Sequence, residues 1–220
     1  MNKGREFMTD NPWEDVYHSD GHVFTNIHAV ITEFAGLLEE YGQVGTRFLD
    51  VGCGNGRHLV YFSRLGYRVT GLDSAPSALR LSQEWLRRDR LRGDLLLSDS
   101  RFLFPVADES FDVLLSTQVI HHALLETVLF TIDEITRVVR PGGFILITVP
   151  VFKEISEPEE EWEEIERHTF VPTAGMEKGL PHHLFTLDEF RSCFPAFNIL
   201  FLDQVVNEFN EYITLTGRKK

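Results

Sequence analysis

The sequence predicts an α/β fold built on a parallel sheet, and three observations carry that prediction. Short apolar runs bounded by turn residues recur along the chain, as buried parallel strands do. Segments with apolar residues at helical spacing alternate with those runs. The 220 residues are enough for one domain with a large core. Strands that alternate with helices pair in parallel through right-handed crossovers.

The elements follow one another in a regular order. Core strands are predicted at 48–51, 67–72, 95–97, 111–116 and 144–149. Helices are predicted at 25–41, from the first core strand's loop to Gly66, from a Ser74 N-cap to about Arg90, and at about 124–139. A short helix from Thr186 precedes strands at 197–202 and 211–216, which we expect to form an antiparallel hairpin at the sheet edge.

The composition narrows the classes of function that the protein can have. The chain has 34 acidic and 21 basic residues, a formal net charge of −13, which disfavours an extended surface for nucleic-acid phosphates. No apolar run is long enough to span a bilayer, and the first residues lack the apolar stretch of a signal peptide. Two cysteines, Cys53 and Cys193, do not make a disulfide framework, so a reduced, cytoplasmic setting is expected.

A glycine loop connects the first predicted core strand to its helix. Gly52, Gly54 and Gly56 permit positive φ and let the backbone approach a ligand closely. The second strand ends on Asp73, whose carboxylate accepts hydrogen bonds either from ribose hydroxyls or from the start of the next helix. A dinucleotide-binding fingerprint would place glycine where Arg57 stands, so the spacing points away from a dinucleotide.

The string LDVGCGNG, followed by GLD at Asp73, resembles motif I and the ribose-binding acid of class I S-adenosylmethionine-dependent methyltransferases. The resemblance covers roughly 46–150 and extends weakly to the end of the chain by strand order. It implies an enzyme with S-adenosylmethionine as cofactor and a doubly wound, mostly parallel, Rossmann-like sheet. That sheet should have seven strands, the last antiparallel, with helices on both faces and ligands over the carboxyl ends of the strands.

We divide the chain into parts of a single methyltransferase domain. They are an N-terminal arm and helix (1–45), the cofactor-binding core (46–150), a lid-like insertion (151–186), and a terminal helix and strand pair (187–220). The insertion carries eight glutamates between Glu154 and Glu166. Such a run fits a solvated helix plus loop, but long insertions after a strand are also where lids occur.

By the resemblance, the cofactor-binding residues lie in the glycine loop and at the ends of the next strands. Asp99 is expected either to reach the adenine amine or to be an ordinary turn acid. Asp50 is expected either to accept N–H bonds from the loop or to touch the ligand, and Cys53 to be a small loop residue rather than a nucleophile. The full set is Asp50, Gly52, Cys53, Gly54, Asn55, Gly56, Asp73, Ser74, Asp99, Ser100, Ser116 and Thr117.

His121 and His122 follow the fourth strand, where class I enzymes bring the acceptor to the methyl group. Neighbours on an extended segment point opposite ways, so one of the two is expected to face the pocket, where it could act as a general base. The alternative is a structural histidine that packs beneath the next helix. The candidate substrate residues that can join this pair are Tyr17, His168, His182 and His183. No H-E-x-x-H motif or cysteine pair accompanies the histidines, so no metal site is expected.

The expected activity is methyl transfer to a small-molecule acceptor under a lid formed by 1–24 and 151–186. Aromatic residues of these segments would exclude water: Trp13, Tyr17, Phe24, Trp162 and Phe170. The segment 169–186 loosely resembles the post-core region of tellurite-resistance-like methyltransferases. Two alternatives stay open. Residues 104–123 also resemble tRNA wobble-uridine carboxymethyl methyltransferases, and a non-catalytic cofactor-binding subunit would have the same crevice.

Overall fold

The computed structural model describes residues 11–21, 25–152, 162–206 and 211–220, and these form two sheets. The strands are β1 (Arg47–Val51), β2 (Arg68–Asp73), β3 (Gly93–Leu97), β4 (Phe111–Thr117), β5 (Val139–Pro150), β6 (Trp162–Glu166), β7 (Thr169–Pro172), β8 (His182–His183), β9 (Phe197–Val206) and β10 (Glu211–Lys219). The helices are α1 (Pro12–Asp20), α2 (Ala29–Glu40), α3 (Arg57–Arg64), α4 (Pro76–Arg88), α5 (Leu125–Val138) and α6 (Leu187–Ser192).

The larger sheet has seven strands in the order β3-β2-β1-β4-β5-β10-β9. Strands β1 to β5 pair in parallel, and β10 runs antiparallel to both β5 and β9. The predicted doubly wound sheet and its terminal hairpin are thus confirmed. The chain reverses its direction of travel across the sheet between β1 and β4, and ligands of such sheets bind outside the carboxyl ends of the strands at that point.

Side chains of the central strands alternate between two apolar layers. Leu49 and Val51 belong to a layer that includes α5 and α6, whereas Phe48 belongs to the layer formed with α2, α3 and α4. Helices therefore cover both faces, as the resemblance implied. Within the part of the chain that the structure describes, none of the helices is both long and apolar enough to cross a membrane.

Helix α1 packs against the start of α4. Asn11 caps α1 by accepting the Trp13 N–H at 3.2 Å. Glu14 accepts hydrogen bonds from the Ser77 backbone N–H at 2.8 Å and from its hydroxyl at 2.5 Å. The N-cap of α4 is Ala75 and no side chain of its own segment caps it, so the predicted Ser74 N-cap is wrong. A carboxylate from α1 satisfies the first turn of α4 in its place.

The insertion forms a small antiparallel sheet in which β7 pairs with β6 and with β8. No helix is present in its described part, 162–186, so the expectation of a solvated helix is wrong there. Residues 153–161, with five of the eight glutamates, lie outside the described residues, and so does Phe24. The His183 N–H donates to the His121 carbonyl at 2.8 Å, which holds the small sheet against the end of β4.

The Glu14 contact makes a prediction about stability. Glu14→Ala removes the acceptor for the Ser77 N–H, so the free energy of unfolding should fall by about 1–2 kcal/mol, the usual effect of losing a helix cap. Urea unfolding measures it. Asp15→Ala is the matched control, because Asp15 is an exposed acid in the same helical turn. Equal losses in the two variants would show that the capping contact contributes nothing.

Candidate functional site

A cavity of about 480 Å³ lies over the carboxyl ends of β1, β2, β4 and β5. Its floor is the glycine loop, and α1, β8 and the start of β10 contribute to its walls. The lining falls into two groups of residues. One group is the predicted nucleoside crevice around Gly54 and Asp73, and the other is a set of histidines around His122. One volume therefore joins the two predicted halves of an active site.

The glycine loop adopts positive φ at the positions where the sequence places glycine. The φ values are 72° at Gly52, 55° at Gly54 and 86° at Gly56. A Cβ atom on Gly54 would lie 2.4 Å from the hydroxyl oxygen of Tyr17, so α1 lies directly over the loop. Glycine is required here for its backbone conformation and for this close approach.

Asp73 organises the crevice. Its Oδ2 accepts the Gly54 N–H at 2.8 Å and its Oδ1 accepts the Ala75 N–H at 2.9 Å. Asp73 thus supports the glycine loop and the start of α4 together. Burial raises the pKa of this carboxyl to about 6, although these two N–H groups oppose the shift. Each carboxylate oxygen has a second lone pair, so Asp73 can also accept hydrogen bonds from a ligand.

Two other residues of the loop have defined states. Asn55 lines the cavity, is 1% exposed, and its Nδ2 has no hydrogen-bond partner among the described residues. A buried donor without a partner is costly, so it indicates a place for a ligand acceptor. Burial raises the pKa of the Cys53 thiol well above its usual value, which keeps the thiol neutral and fits the expectation that it is no nucleophile.

Among the described residues, Asp50 does not accept the hydrogen bonds from the glycine loop that were one of its two expected roles. It does not line the cavity, and its carboxylate oxygens accept no hydrogen bond among the described residues. The Nδ1 of His58 lies 3.7 Å from the Asp50 Oδ2, and both side chains are buried. Burial lowers the pKa of His58, since a charged imidazole would lose its hydration there.

Three further predicted cofactor residues lie away from the cavity lining. Asp99 instead forms an ion pair with Arg101, with Oδ2 and Nη2 2.5 Å apart. In this structure its carboxylate is therefore not positioned to contact an adenine in the cavity. The Ser116 hydroxyl donates to the Val51 carbonyl at 3.2 Å, and Gly56 packs against Ser82. The remaining eight line the cavity: Gly52, Cys53, Gly54, Asn55, Asp73, Ser74, Ser100 and Thr117.

Three histidines meet at the other end of the cavity. His121 and His122 lie in the turn after β4, and their ring centroids are 3.8 Å apart. Both line the cavity, contrary to the expectation that one would face away, because the segment is a turn and not an extended strand. His182 of β8 joins them, with its ring centroid 4.7 Å from that of His122.

His168 and His183 do not join this cluster. They flank Glu189 of α6, with the His168 Nδ1 3.4 Å from its Oε2 and the His183 Nε2 3.6 Å from its Oε1. His183 is fully buried, and its Nδ1 lies 2.7 Å from the Thr169 hydroxyl. The prediction that all the insertion histidines meet His121 is therefore wrong for two of the three. Adjacent residues of a strand point to opposite sides, which separates His182 from His183.

Burial keeps the paired imidazoles neutral. It lowers the pKa of His122 to about 3, with a further contribution from His182, and it lowers the pKa of His121 well below its usual value. A neutral imidazole has one N–H donor and one lone pair. His121 and His122 therefore offer lone pairs, and not positive charges, to whatever occupies this end of the cavity.

Aromatic rings surround the cluster, and so does one acid, Glu177, which the sequence did not single out. Trp13 of α1 lies 5.3 Å from the His122 ring centroid and Trp162 of β6 lies 5.0 Å from that of His182. Glu177 has its Oε2 3.1 Å from the His182 Nε2. In the sequence, Glu177 is marked only by the glycines on either side of it, Gly175 and Gly179, and this does not distinguish it from other loop acids.

Comparisons with known proteins agree with this geometry. Residues 49–147 match the protein family described as "Methyltransferase domain". The malonyl-[acyl-carrier protein] O-methyltransferase of Yersinia pestis is 30% identical over 158 residues, which are 68% of this chain and 57% of that protein. The chain thus spans little more than half the length of this curated relative.

Two solved structures show the same fold. TehB from Haemophilus influenzae superimposes with a TM-score of 0.70 at 22% identity, covering 94% of this chain and 67% of TehB. The 1,6-didemethyltoxoflavin-N1-methyltransferase of Burkholderia thailandensis, solved with its substrate and S-adenosylhomocysteine, gives 0.67 at 21% identity, with coverages of 94% and 84%. Residues 49–147 therefore form a methyltransferase domain of the class I S-adenosylmethionine-dependent type, a family whose cofactor is S-adenosylmethionine.

Proposed function

We propose that this protein transfers a methyl group from S-adenosylmethionine to a small molecule bound beside His121, His122 and His182. The observation that carries the proposal is the single cavity that joins the Asp73 crevice to the histidine cluster. Its volume of about 480 Å³ is in the range of small-ligand pockets. Alignment of two bound reactants alone can supply up to about 7–11 kcal/mol of rate enhancement.

The crevice residues fit S-adenosylmethionine. Asp73 can accept hydrogen bonds from ribose hydroxyls with its free lone pairs, and the unpartnered Asn55 amide can donate to the ligand. Gly52 and Gly54 line the cavity, where glycine lets a ligand approach the backbone. The bound cofactor supplies an activated methyl group, so the chain need not supply a nucleophile, in keeping with the neutral Cys53 thiol.

We assign the cover of the acceptor pocket to α1 and the small sheet. Trp13 and Trp162 contact the histidine cluster from these two elements, and Tyr17 lies over the glycine loop. Such a cover excludes water from the reacting groups. The proposal keeps the lid expected from 1–24 and 151–186 and assigns Trp13, Tyr17 and Trp162 to it.

A small acceptor fits the charge of the site better than tRNA does. The lining includes Glu177 and Glu211, and the whole chain has a net charge of −13. Acids at the mouth of a site repel a phosphate backbone, whose binding depends on neutralisation by Lys and Arg. The third candidate, a cofactor-binding subunit without activity, lacks a specific observation in its favour.

The direct test is cofactor turnover by the purified chain. We expect S-adenosylhomocysteine to form from S-adenosylmethionine when the low-molecular-mass fraction of a cell extract is added, and not with bulk tRNA. Turnover only with tRNA, together with a salt-dependent gel shift, would favour the tRNA enzyme. Cofactor binding without turnover on either fraction would favour the non-catalytic subunit.

Asp73 should make cofactor affinity depend on pH. A ligand that donates to the carboxylate binds its ionised form, whereas burial favours the protonated form in the free protein. Affinity for S-adenosylhomocysteine should therefore be constant above about pH 6 and fall about tenfold per pH unit below it. Titration calorimetry measures this.

The Asp73→Asn variant tests the assignment of that effect. It should bind about 10- to 100-fold more weakly at pH 7.5, the loss of a charge-assisted hydrogen bond, and should show no change of affinity between pH 5 and 7. Asp94→Asn, at an exposed acid of β3, is the control and should behave as the unmodified chain. Full affinity in Asp73→Asn would remove Asp73 from the site.

Gly54→Ala should weaken cofactor binding through Tyr17. The new Cβ would meet the Tyr17 hydroxyl, and the positive φ adds backbone strain of about 1–2 kcal/mol. Gly45→Ala is a matched control, because Gly45 also has positive φ but has no atom within 4 Å of the added Cβ. Both variants should lose stability in urea, but only Gly54→Ala should lose cofactor affinity.

Adding Tyr17→Phe to Gly54→Ala removes the hydroxyl and should restore part of that affinity. If Gly54→Ala binds S-adenosylhomocysteine as tightly as Gly45→Ala, the cofactor does not lie against this loop.

A further inference from the structure

The histidine cluster has the composition of a metal site, and its rings lie close to one another. The candidate ligand atoms of His121, His122 and His182 all lie within 4.8 Å of one another. They come from two elements far apart in the sequence, the turn after β4 and strand β8. The hydrogen bond from the His183 N–H to the His121 carbonyl fixes these two elements together, so the cluster is built into the fold.

Hydrogen bonding determines which nitrogen of His182 has the lone pair. The His182 Nδ1 lies 2.8 Å from the Leu180 carbonyl, which can only accept, so Nδ1 carries the hydrogen. In a neutral ring the Nε2 is then the acceptor. This Nε2 lies 3.1 Å from Glu177 Oε2, and the His122 Nε2 lies 3.7 Å from Glu177 Oε1. A lone pair beside a carboxylate oxygen requires a cation, either a proton or a metal ion.

His121 adds a second, independent observation. Its side chain is 4% exposed, and its Nδ1 has no hydrogen-bond partner among the described residues. A buried polar atom without a partner costs about 1–3 kcal/mol. A histidine present only for packing offers no compensation for that cost, whereas a histidine that binds a ligand does.

We infer that His121, His122 and His182 form a binding site for a divalent transition-metal ion, with an open coordination position toward the cavity. Imidazole ligands suit divalent ions such as Zn²⁺ and Fe²⁺. Catalytic zinc sites have three protein ligands plus an open position. The Leu180 carbonyl orients His182 as outer-shell acceptors orient metal-bound histidines. Glu177 lies close enough to become a fourth ligand or a second orienting group.

The site must contract to bind the ion. Metal–nitrogen bonds of about 2.0–2.1 Å in a tetrahedral site place the nitrogens about 3.4 Å apart, which is closer than the 4.8 Å limit seen here. The rings belong to a turn and to a two-residue strand, which can make this adjustment. The sequence predicted no metal because 60 residues separate His122 from His182, and no known spacing links them.

The role of the ion rests on the proposed function. An ion at this end of the cavity would hold an acidic oxygen or sulfur atom of the methyl acceptor in its open position. It would lower the pKa of that group, so that the acceptor binds as its anion and its proton passes to solvent. The presence of the metal site does not depend on this role.

The test uses the full chain without an affinity tag, freed of metal by chelation and titrated with Co²⁺ and with Zn²⁺. We expect one ion per chain and the visible absorption of four- or five-coordinate Co²⁺. His122→Ala and His182→Ala should each weaken binding at least about tenfold, the lower end of what even outer-shell changes cost. His18→Ala, at an exposed histidine of α1 outside the cavity lining, should bind as the unmodified chain.

Two controls keep the outcomes separate. Affinity for S-adenosylhomocysteine and the thermal transition show whether each variant is folded. If an alanine variant does not fold, X-ray absorption at the zinc edge of the zinc-loaded, unmodified chain tests the ligand set. A three-histidine site shows the scattering of three imidazole rings.

Absence of binding at millimolar Co²⁺ and Zn²⁺, binding that survives both substitutions, or fewer than two imidazole ligands would overturn the metal site. Turnover that is indifferent to metal would remove its role in acceptor binding and leave the proposed function intact.

Discussion

The hydrogen bonds accepted by Asp73 are the interaction on which the rest of the site depends. One carboxylate oxygen accepts the N–H of Gly54 and the other that of Ala75, so one buried side chain sets both the glycine loop and the start of α4. The loop in turn has no side chain where Tyr17 lies, which lets α1 close over it. Glu14 then caps α4 from α1. The glycine loop, α4 and α1 are therefore one connected structure.

The histidine end of the cavity depends on a different set of hydrogen bonds between elements. The turn after β4 carries His121 and His122, and the small sheet carries His182. The His183 N–H to the His121 carbonyl and the Phe152 N–H to the Phe185 carbonyl, at 2.8 and 2.7 Å, bind the insertion to the main sheet. His183 faces the interior and Glu189, so its neighbour His182 faces the cavity. Alternation along a strand thus selects which histidine reaches the cavity.

The fold was predictable because buried strands and glycine turns are local signals. Apolar runs predict the core strands and the terminal hairpin. Gly52, Gly54 and Asp73 predict the crevice between the first two strands and their helices. What the sequence could not supply were contacts between distant segments. Glu14 accepts from Ser77, 63 residues later, and Glu177 joins a cluster whose other members are 55 or more residues earlier or in β8. Such pairings depend on tertiary packing, which no local pattern encodes.

The central claim is that cofactor and acceptor share one cavity, with the ribose at Asp73 and the reacting sulfur toward the histidine cluster. Electron density for S-adenosylhomocysteine in a crystal of the chain tests it most directly. We expect ribose hydroxyls within hydrogen-bond distance of the Asp73 carboxylate and the sulfur atom on the His122 side of the cavity. A nucleoside bound outside this cavity, or bound with its sulfur turned away from the histidines, would contradict the account.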